Sequence, residues 1–136
     1  MVGRLLDRFN REFDDYTPGP EAMAKRITEL MASGDAVVVL AEAESGLAVM
    51  RFRQALWTSG LECLLAELYV VPERRGQGLG RALMLLAIET ARARGADYME
   101  LGTDEGDRAA HALYKSVGFK NAGPRGEVSY VFEMEL

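Results

Sequence analysis

The stretch "LYVVPERRGQGLGRAL", residues 68–83, carries the strongest structural signal in the chain. An apolar run ends at Pro72, glycines follow at every second position from Gly76 to Gly80, and a leucine-rich run comes next. Glycine lets successive N–H groups approach a ligand, and the start of a helix adds about half a positive charge. Arginines flank the glycines on both sides. The stretch could be a tight turn with surface arginines, but three alternating glycines favour a strand-to-helix loop that cradles a phosphate or pyrophosphate.

Two well-known phosphate loops do not match this pattern. The Walker loop requires Lys-Ser/Thr after its last glycine, and this chain has Arg81-Ala82 there. The Rossmann fingerprint requires a third glycine three positions after the second, where this chain offers only Arg81 or Leu83. A dinucleotide fold would also begin with the glycine strand, whereas other predicted elements precede it here. The Walker loop is therefore excluded and the Rossmann loop is a poor second.

Hydrophobic periodicity predicts the elements on either side of the loop. Helices are predicted over residues 4–15, 21–32, 78–94 and 107–117, and strands over 36–43, 46–56, 62–71, 98–102 and 127–136. The helix over 78–94 is apolar almost all round, so it should pack against a sheet. The order predicts one domain over residues 1–136, an α/β fold whose mixed, mostly antiparallel sheet is flanked by helices.

Composition narrows the classes of function. The chain has 136 residues and a net charge of -5, which argues against a nucleic-acid partner. It has no apolar run near the roughly 20 residues of a membrane span, and its charged first residues do not read as a signal peptide. Cys63 is the only cysteine and His111 the only histidine, so no disulfide, metal site or histidine-activated nucleophile is expected. We expect a cytoplasmic protein without a membrane partner.

Two motifs together resemble those of the GNAT superfamily of N-acetyltransferases. The sequence RGQGLG, residues 75–80, matches the pattern Gln/Arg-x-x-Gly-x-Gly/Ala of that family's pyrophosphate loop. The sequence AHALYKSVGF, residues 110–119, matches its tyrosine motif. The motifs stand in the family's order, separated by a predicted helix and strand. The resemblance covers nearly the whole chain and implies a GNAT-type fold, with a splayed strand pair around the glycine-loop helix.

The chain departs from the family pattern in two places. GNAT domains usually open with a strand, which here is either absent or reduced to Met1-Val2-Gly3. Asp107 stands where the family often has an asparagine that contacts the pantetheine arm, so that contact is left open.

The resemblance implies acetyl-CoA as the acetyl donor. Its pyrophosphate would lie on the N–H groups of residues 75–80, and its pantetheine arm would pair like an extra strand with the backbone of Leu68 and Val70. A bulge would splay this strand from residues 98–102 and open the slot for the cofactor. The residues assigned to cofactor binding are Leu68, Tyr69, Val70, Arg75, Gly76, Gln77, Gly78, Leu79, Gly80, Arg81, Asp107 and Ala110.

Attack of an amine on a thioester requires a neutral amine, a donor for the oxyanion and a proton for the departing thiolate. The resemblance gives the last task to Tyr114, although a helical tyrosine among apolar neighbours is otherwise more often a core residue. It implies that the N–H group of Val70 donates a hydrogen bond to the oxyanion.

Glu67 is the candidate general base. It is the only charge within residues 64–71 and shares a strand face with Tyr69. A carboxylate inside a central strand is costly unless it is paired. Its alternatives are an ion pair with Arg51 or Arg53, or a position facing water at the substrate opening.

The resemblance therefore implies an acetyl-CoA-dependent N-acetyltransferase that acts on a primary amine by direct attack on the thioester. The alternative is a non-catalytic acetyl-CoA-binding sensor or regulatory protein. The acceptor would be a small-molecule or peptide amine, walled by residues 13–16, the loop around Trp57 and residues 121–126. Glu12, Asp14 and Asp15 could attract a cation, although a charged helix face explains them equally well. The oligomeric state is left open between a monomer and a homodimer.

Overall fold

The structure, a computed structural model, describes residues 1–103, 106–122 and 128–136. The elements in order are α1 (Val2–Glu12), α2 (Pro20–Ala32), β1 (Ala36–Leu40), β2 (Gly46–Gln54), β3 (Leu61–Val70), α3 (Leu79–Ala93), β4 (Ala96–Gly102), α4 (Arg108–Ser116), β5 (Lys120–Ala122) and β6 (Val128–Glu135), with 3-10 turns at Glu42–Glu44 and Pro72–Arg74. Among these described helices, none has the length and apolar character needed to cross a membrane.

The strands of the described residues form one six-stranded sheet in the order β1-β2-β3-β4-β6-β5. Strands β1, β2 and β3 form an antiparallel meander. Helix α3 then crosses over so that β4 lies parallel to β3, and β6 and β5 complete the sheet with antiparallel pairs. The predicted mixed, mostly antiparallel sheet flanked by helices is confirmed.

Helices cover both faces of the sheet. On one face, α3 and α4 close a core that includes the fully buried Met84, Met99 and Phe132. On the other face, α1 and α2 pack over the β1–β3 end of the sheet, around residues such as Leu5 and Ile27. The amphipathic periodicity of the helices produces this arrangement, since each apolar stripe must be buried against a neighbour.

The first residues are helical, so the suggested strand at Met1-Val2-Gly3 is wrong. Val2 and Gly3 belong to α1. Helix α2 crosses α1 so closely that a Cβ atom on Gly3 would lie 2.2 Å from the backbone oxygen of Pro20 and 2.8 Å from Cβ of Ala24. The glycine therefore serves helix packing and not a strand.

Strand β1 is shorter than predicted, and strand β5 was not predicted. Strand β1 ends at Leu40 and not at residue 43, because both the N–H and the hydroxyl of Ser45 bond the backbone oxygen of Glu42 and close a tight turn. Strand β5 is a short edge strand that lies partly within residues 121–126, which were predicted from the sequence only as a wall of the acceptor site. Its three residues are too few for a periodic signal.

Candidate active site

Strands β3 and β4 separate at one end of the sheet. Their parallel pairing runs from Leu61 opposite Ala96 to Leu64 opposite Glu100, while β3 continues to Val70. On the other side of β3, the register with β2 shifts by one residue and leaves Ala66 as a bulge. A bulge bends its strand and disrupts pairing. The expected splayed strand pair is therefore present, and we call the opening between β3 residues 65–70 and β4 the fork.

The backbone of β3 presents hydrogen-bonding groups to the fork. The N–H of Val71 donates to the oxygen of Ser45 at 2.9 Å. In an antiparallel pair such bonds alternate along the strand, so the N–H and C=O groups of Leu68 and Val70 point away from β2. The oxygen of Val70 accepts a bond from Nε of Arg75 at 2.9 Å, so the groups that face an extended cofactor arm are the N–H and C=O of Leu68 and the N–H of Val70.

The glycine loop, residues 75–80, ends at the start of α3. Gly76 and Gly78 have φ values of 77° and 81°. These left-handed conformations suit glycine and strain other residues. The first hydrogen bond of α3 joins the N–H of Ala82 to the oxygen of Gly78 at 3.0 Å, so the N–H groups before Ala82 in the first turn have no helical partner. The loop therefore offers N–H donors and a positive helix end to an anion.

A groove of about 1270 Å³ joins the fork, the glycine loop and the start of α4. It brings together most of the predicted site residues, namely Glu67, Leu68, Tyr69, Val70, Arg75, Gly76, Gly78, Leu79, Gly80, Asp107, Ala110 and Tyr114. Gln77 and Arg81 do not line it: the amide oxygen of Gln77 accepts a bond from Arg74 at 3.2 Å, and Arg81 donates to Ser116 at 2.9 Å. Cofactor binding by these side chains remains a prediction.

Tyr114 forms part of the groove wall from α4. Its ring lies edge-on to Phe119 and Phe132, with centroid distances of 6.4 and 5.6 Å, and only 8% of the residue is exposed. Burial, with a smaller contribution from Asp107, raises the pKa of Tyr114 to about 12. The phenol therefore remains protonated at neutral pH. No described residue accepts a hydrogen bond from it, so it can donate one to a ligand.

Asp107 has a local structural role. Its Oδ1 accepts a hydrogen bond from the N–H of Ala110 at 3.1 Å, which caps the N-terminus of α4. Asparagine is an equally good helix cap, so the exchange of one for the other at this position preserves the helix start.

Glu67 faces the groove on the α1 side of the sheet. Arg51 lies opposite Leu64 on β3, and Arg53 pairs with Glu62 and Glu100. The alternative of an ion pair between Glu67 and either arginine is therefore wrong. Burial, and then the negative charge of Asp15, raise the pKa of the Glu67 carboxyl. Among the described residues, Glu67 has no cationic partner.

The raised pKa of Glu67 predicts an unusual pH dependence of stability. The folded state binds the Glu67 proton more tightly than the unfolded state, so ionisation of this carboxyl costs stability as pH rises through its folded pKa. We expect Glu67→Gln to raise the free energy of unfolding at pH 7.5, with little gain at pH 4. Urea unfolding of both proteins at the two pH values checks this. A loss of stability at pH 7.5 would contradict it.

The end of α1 forms a wall of the groove that was predicted only in part from the sequence. Phe13 and Asp15 line the groove as expected, and Phe9 and Glu12 line it as well. Phe9 also stacks on Tyr69, with a centroid distance of 4.7 Å.

The two other predicted walls of the acceptor site are the loop around Trp57 and residues 121–126. The loop of Trp57 lies elsewhere, since this residue is 89% exposed and lines a separate hollow of about 340 Å³. Of residues 121–126, those from 123 onward lie outside the described residues.

Comparisons with known proteins identify the family. The model of the acetyltransferase (GNAT) family matches residues 5–119. The fold is similar to the crystal structure of a protein from Arthrobacter sp. FB24 described as an acetyltransferase, with a TM-score of 0.85 and 40% sequence identity over 99% of this chain and 88% of that one.

Two curated relatives match shorter segments. Mycothiol acetyltransferase of Thermobispora bispora is 48% identical over 63 residues, which cover 44% of this chain and 21% of the relative. Aminoalkylphosphonate N-acetyltransferase of Salmonella typhimurium is 41% identical over 58 residues, which cover 43% of this chain and 38% of the relative. The matches thus span less than two fifths of either relative. The family match, the fold and the groove agree, and the chain belongs to the acetyltransferase (GNAT) family.

Proposed function

We propose that this protein is an N-acetyltransferase that takes the acetyl group of acetyl-CoA and transfers it to a primary amine by direct attack. The observation that carries the proposal is the meeting of three features in one groove: the glycine loop, the open backbone of the fork and the phenol of Tyr114. The loop suits a pyrophosphate, the fork an extended pantetheine arm, and the phenol a thiolate leaving group.

The residues divide the work of the reaction among them. Acetyl-CoA supplies an activated acetyl thioester. Glu67 accepts a proton from the incoming ammonium group and passes it to solvent. The neutral amine that remains forms the new C–N bond, and its nitrogen loses a second proton to solvent as the amide forms. The N–H of Val70 donates to the carbonyl oxygen as negative charge develops there. Tyr114 donates its proton to the sulfur as the C–S bond breaks, and regains one from solvent.

A covalent route through the cysteine receives no support. Cys63 is fully buried in the core between the sheet and α3. Burial raises the pKa of its thiol to about 12, so the nucleophilic thiolate is scarce at neutral pH. Cys63 also does not line the groove, which leaves direct transfer between the two substrates as the simpler path.

Charge at the acceptor end of the groove favours an amine that arrives as a cation. Asp15 and Glu67 line this end, and the negative charge of Asp15 is one cause of the raised pKa of Glu67. Phe9 and Phe13 lie beside them and offer aromatic surface. A cationic small-molecule or peptide amine matches this surface better than an amine that carries a phosphonate or carboxylate group.

The proposal predicts how activity should depend on pH. Glu67 acts as a base only when it is ionised, so kcat/KM should rise with pH through the raised pKa of this carboxyl. In Glu67→Gln this rise should disappear, and kcat/KM at pH 7.5 should fall by about tenfold or more. Initial rates of both proteins between pH 5 and 9 check the prediction, and an unchanged profile in the variant would assign the base elsewhere.

The experiment that tests the function is a thiol-release assay with acetyl-CoA and a panel of amines. The panel contains diamines, basic peptides, amino acids and aminoalkylphosphonates. We expect thiol release that requires an amine, is matched by the acetylated product in mass spectra, and is fastest with the cationic members. Cofactor binding in isothermal titration without turnover on any amine would instead support a sensor or regulatory protein.

A further inference from the structure

The end of α1, strand β3 and the glycine loop meet at one carboxylate, that of Glu12. Nη2 of Arg75 lies 2.8 Å and 3.1 Å from the two carboxylate oxygens of Glu12. The hydroxyl of Tyr69 donates to one of the same oxygens at 2.9 Å. We call these three residues, Glu12, Tyr69 and Arg75, the Glu12 junction. It connects two parts of the groove that are 63 residues apart in sequence.

Further contacts hold the junction in one geometry. Nε of Arg75 donates to the oxygen of Val70 at 2.9 Å, and its guanidinium lies 5.7 Å from the centroid of the Tyr69 ring. Tyr69 is only 2% exposed and stacks on Phe9. Charge-assisted bonds that share partners in this way strengthen and orient one another. The arginine therefore cannot shift without disturbing the end of α1.

The same face of α1 carries two other ion pairs, which provide a contrast. Arg4 pairs with Glu44, and Arg8 pairs with Glu73. Arg4, Arg8 and Glu12 follow one another along α1 at intervals of about one helical turn. The carboxyl side chains in these pairs are 42% and 59% exposed, whereas that of Glu12 is 26% exposed. Exposed pairs contribute little to stability or order. Of these three pairs, the Glu12 junction is the one that lines the groove.

The position of the junction in the chain gives it a functional meaning. Arg75 is the residue directly before Gly76, where the glycine loop takes up its left-handed conformation. Glu12 is the last residue of α1, directly before Phe13, and Phe13 and Asp15 line the acceptor end of the groove. The contact between Arg75 and Glu12 therefore links the glycine loop directly to the segment that carries residues 13–15.

We propose that Glu12 is a positioning residue that couples the glycine loop to the acceptor wall, so that coenzyme A bound at the loop orders residues 10–17. The inference rests on the proposed function, because it takes the loop as the pyrophosphate site. The coupling is reciprocal: an ordered wall strengthens binding at the loop, and a filled loop strengthens binding of the amine. Couplings of this kind typically change affinity by about 5- to 150-fold.

Hydrogen–deuterium exchange with coenzyme A as the probe tests this coupling. In the wild-type protein we expect coenzyme A to slow exchange both at residues 76–81 and at residues 10–17. In Glu12→Gln the first protection should remain and the second should be lost. Glu44→Gln removes a carboxylate from another ion pair of α1, one that does not line the groove, and should behave like the wild type.

Steady-state kinetics distinguish this coupling from a purely structural role of Glu12, which would leave the KM for the amine unchanged. With the fastest amine of the panel, Glu12→Gln should raise the KM for the amine about fivefold or more, and kcat should change less than about twofold. If Glu12→Gln does not fold, Arg75→Lys breaks the same paired bonds and should also lose protection of residues 10–17.

Three outcomes would contradict the coupling, and they distinguish its failure from failure of the proposed function. Protection of residues 76–81 without protection of residues 10–17 in the wild type would overturn the coupling and leave the proposed function intact. Full protection of residues 10–17 in Glu12→Gln would do the same. An absence of protection at residues 76–81 in the wild type would overturn the proposed function, and the coupling with it.

Discussion

Replacement of Tyr114 by phenylalanine should lower kcat about 100-fold or more and leave the affinity for coenzyme A within about twofold of the wild type. The ring of Tyr114 packs against Phe119 and Phe132, and phenylalanine preserves these contacts. Only the phenolic hydroxyl is lost, and no described residue forms a hydrogen bond with it. The loss should therefore fall on the step in which the thiolate departs.

Tyr98→Phe is the matched control for this substitution. The hydroxyl of Tyr98 lies 3.0 Å from a carboxylate oxygen of Glu100 and 2.7 Å from one of Glu133, which share its single proton. The residue lines the smaller hollow and not the groove. Its replacement should leave kcat unchanged. Thiol-release rates and isothermal titration of coenzyme A separate the two quantities. A large loss of affinity in Tyr114→Phe, or an unchanged kcat, would contradict the assigned role.

Gly78→Val should weaken coenzyme A binding by roughly 10- to 100-fold. Gly78 has a φ of 81° immediately before α3, and a β-branched residue with this conformation is strained by about 1–3 kcal/mol. Relief of that strain would turn the loop N–H groups away from the pyrophosphate position. Since about 1.4 kcal/mol corresponds to a factor of ten in affinity, the strain accounts for most of the expected change.

Gly34→Val separates loss of binding from general loss of stability. Gly34 has a φ of 84° in the turn after α2, and like Gly78 it would have no atom within 4 Å of an added Cβ. It does not line the groove. Thermal unfolding should show similar losses of Tm in both variants, and isothermal titration should show weakened binding in Gly78→Val alone. Equal affinities in the two variants would contradict the role of the glycine loop.

The fold could be predicted from the sequence because its decisive features are local. The last strand was predicted from the alternation of apolar and polar residues in 127–136, and helix α3 from the apolar run after Gly78. The family resemblance supplied the splayed strand pair, which periodicity alone does not predict. The turn at Glu42–Glu44 was missed, since it depends on hydrogen bonds from one serine to a nearby carbonyl.

The electrostatic roles of the arginines could not be predicted in the same way. From the sequence alone, the arginines around the glycines were predicted to supply positive charge to a phosphate. In the structure Arg75 bonds Glu12, which lies 63 residues earlier in the chain, and Arg81 bonds Ser116, which lies 35 residues later. Neither partner is visible in the local pattern, because the packing of α1 and α4 brings it near. The surroundings of Glu67 could not be predicted for the same reason. Whether it would pair with an arginine depended on the register of β2 and β3.

A crystal structure of the protein with coenzyme A would show whether the groove is the cofactor site. We expect the pyrophosphate against the N–H groups of residues 76–80, the pantetheine arm in the fork beside Leu68 and Val70, and the sulfur within hydrogen-bonding distance of the hydroxyl of Tyr114. Coenzyme A bound outside the fork, or a sulfur atom that lies away from Tyr114, would contradict this expectation.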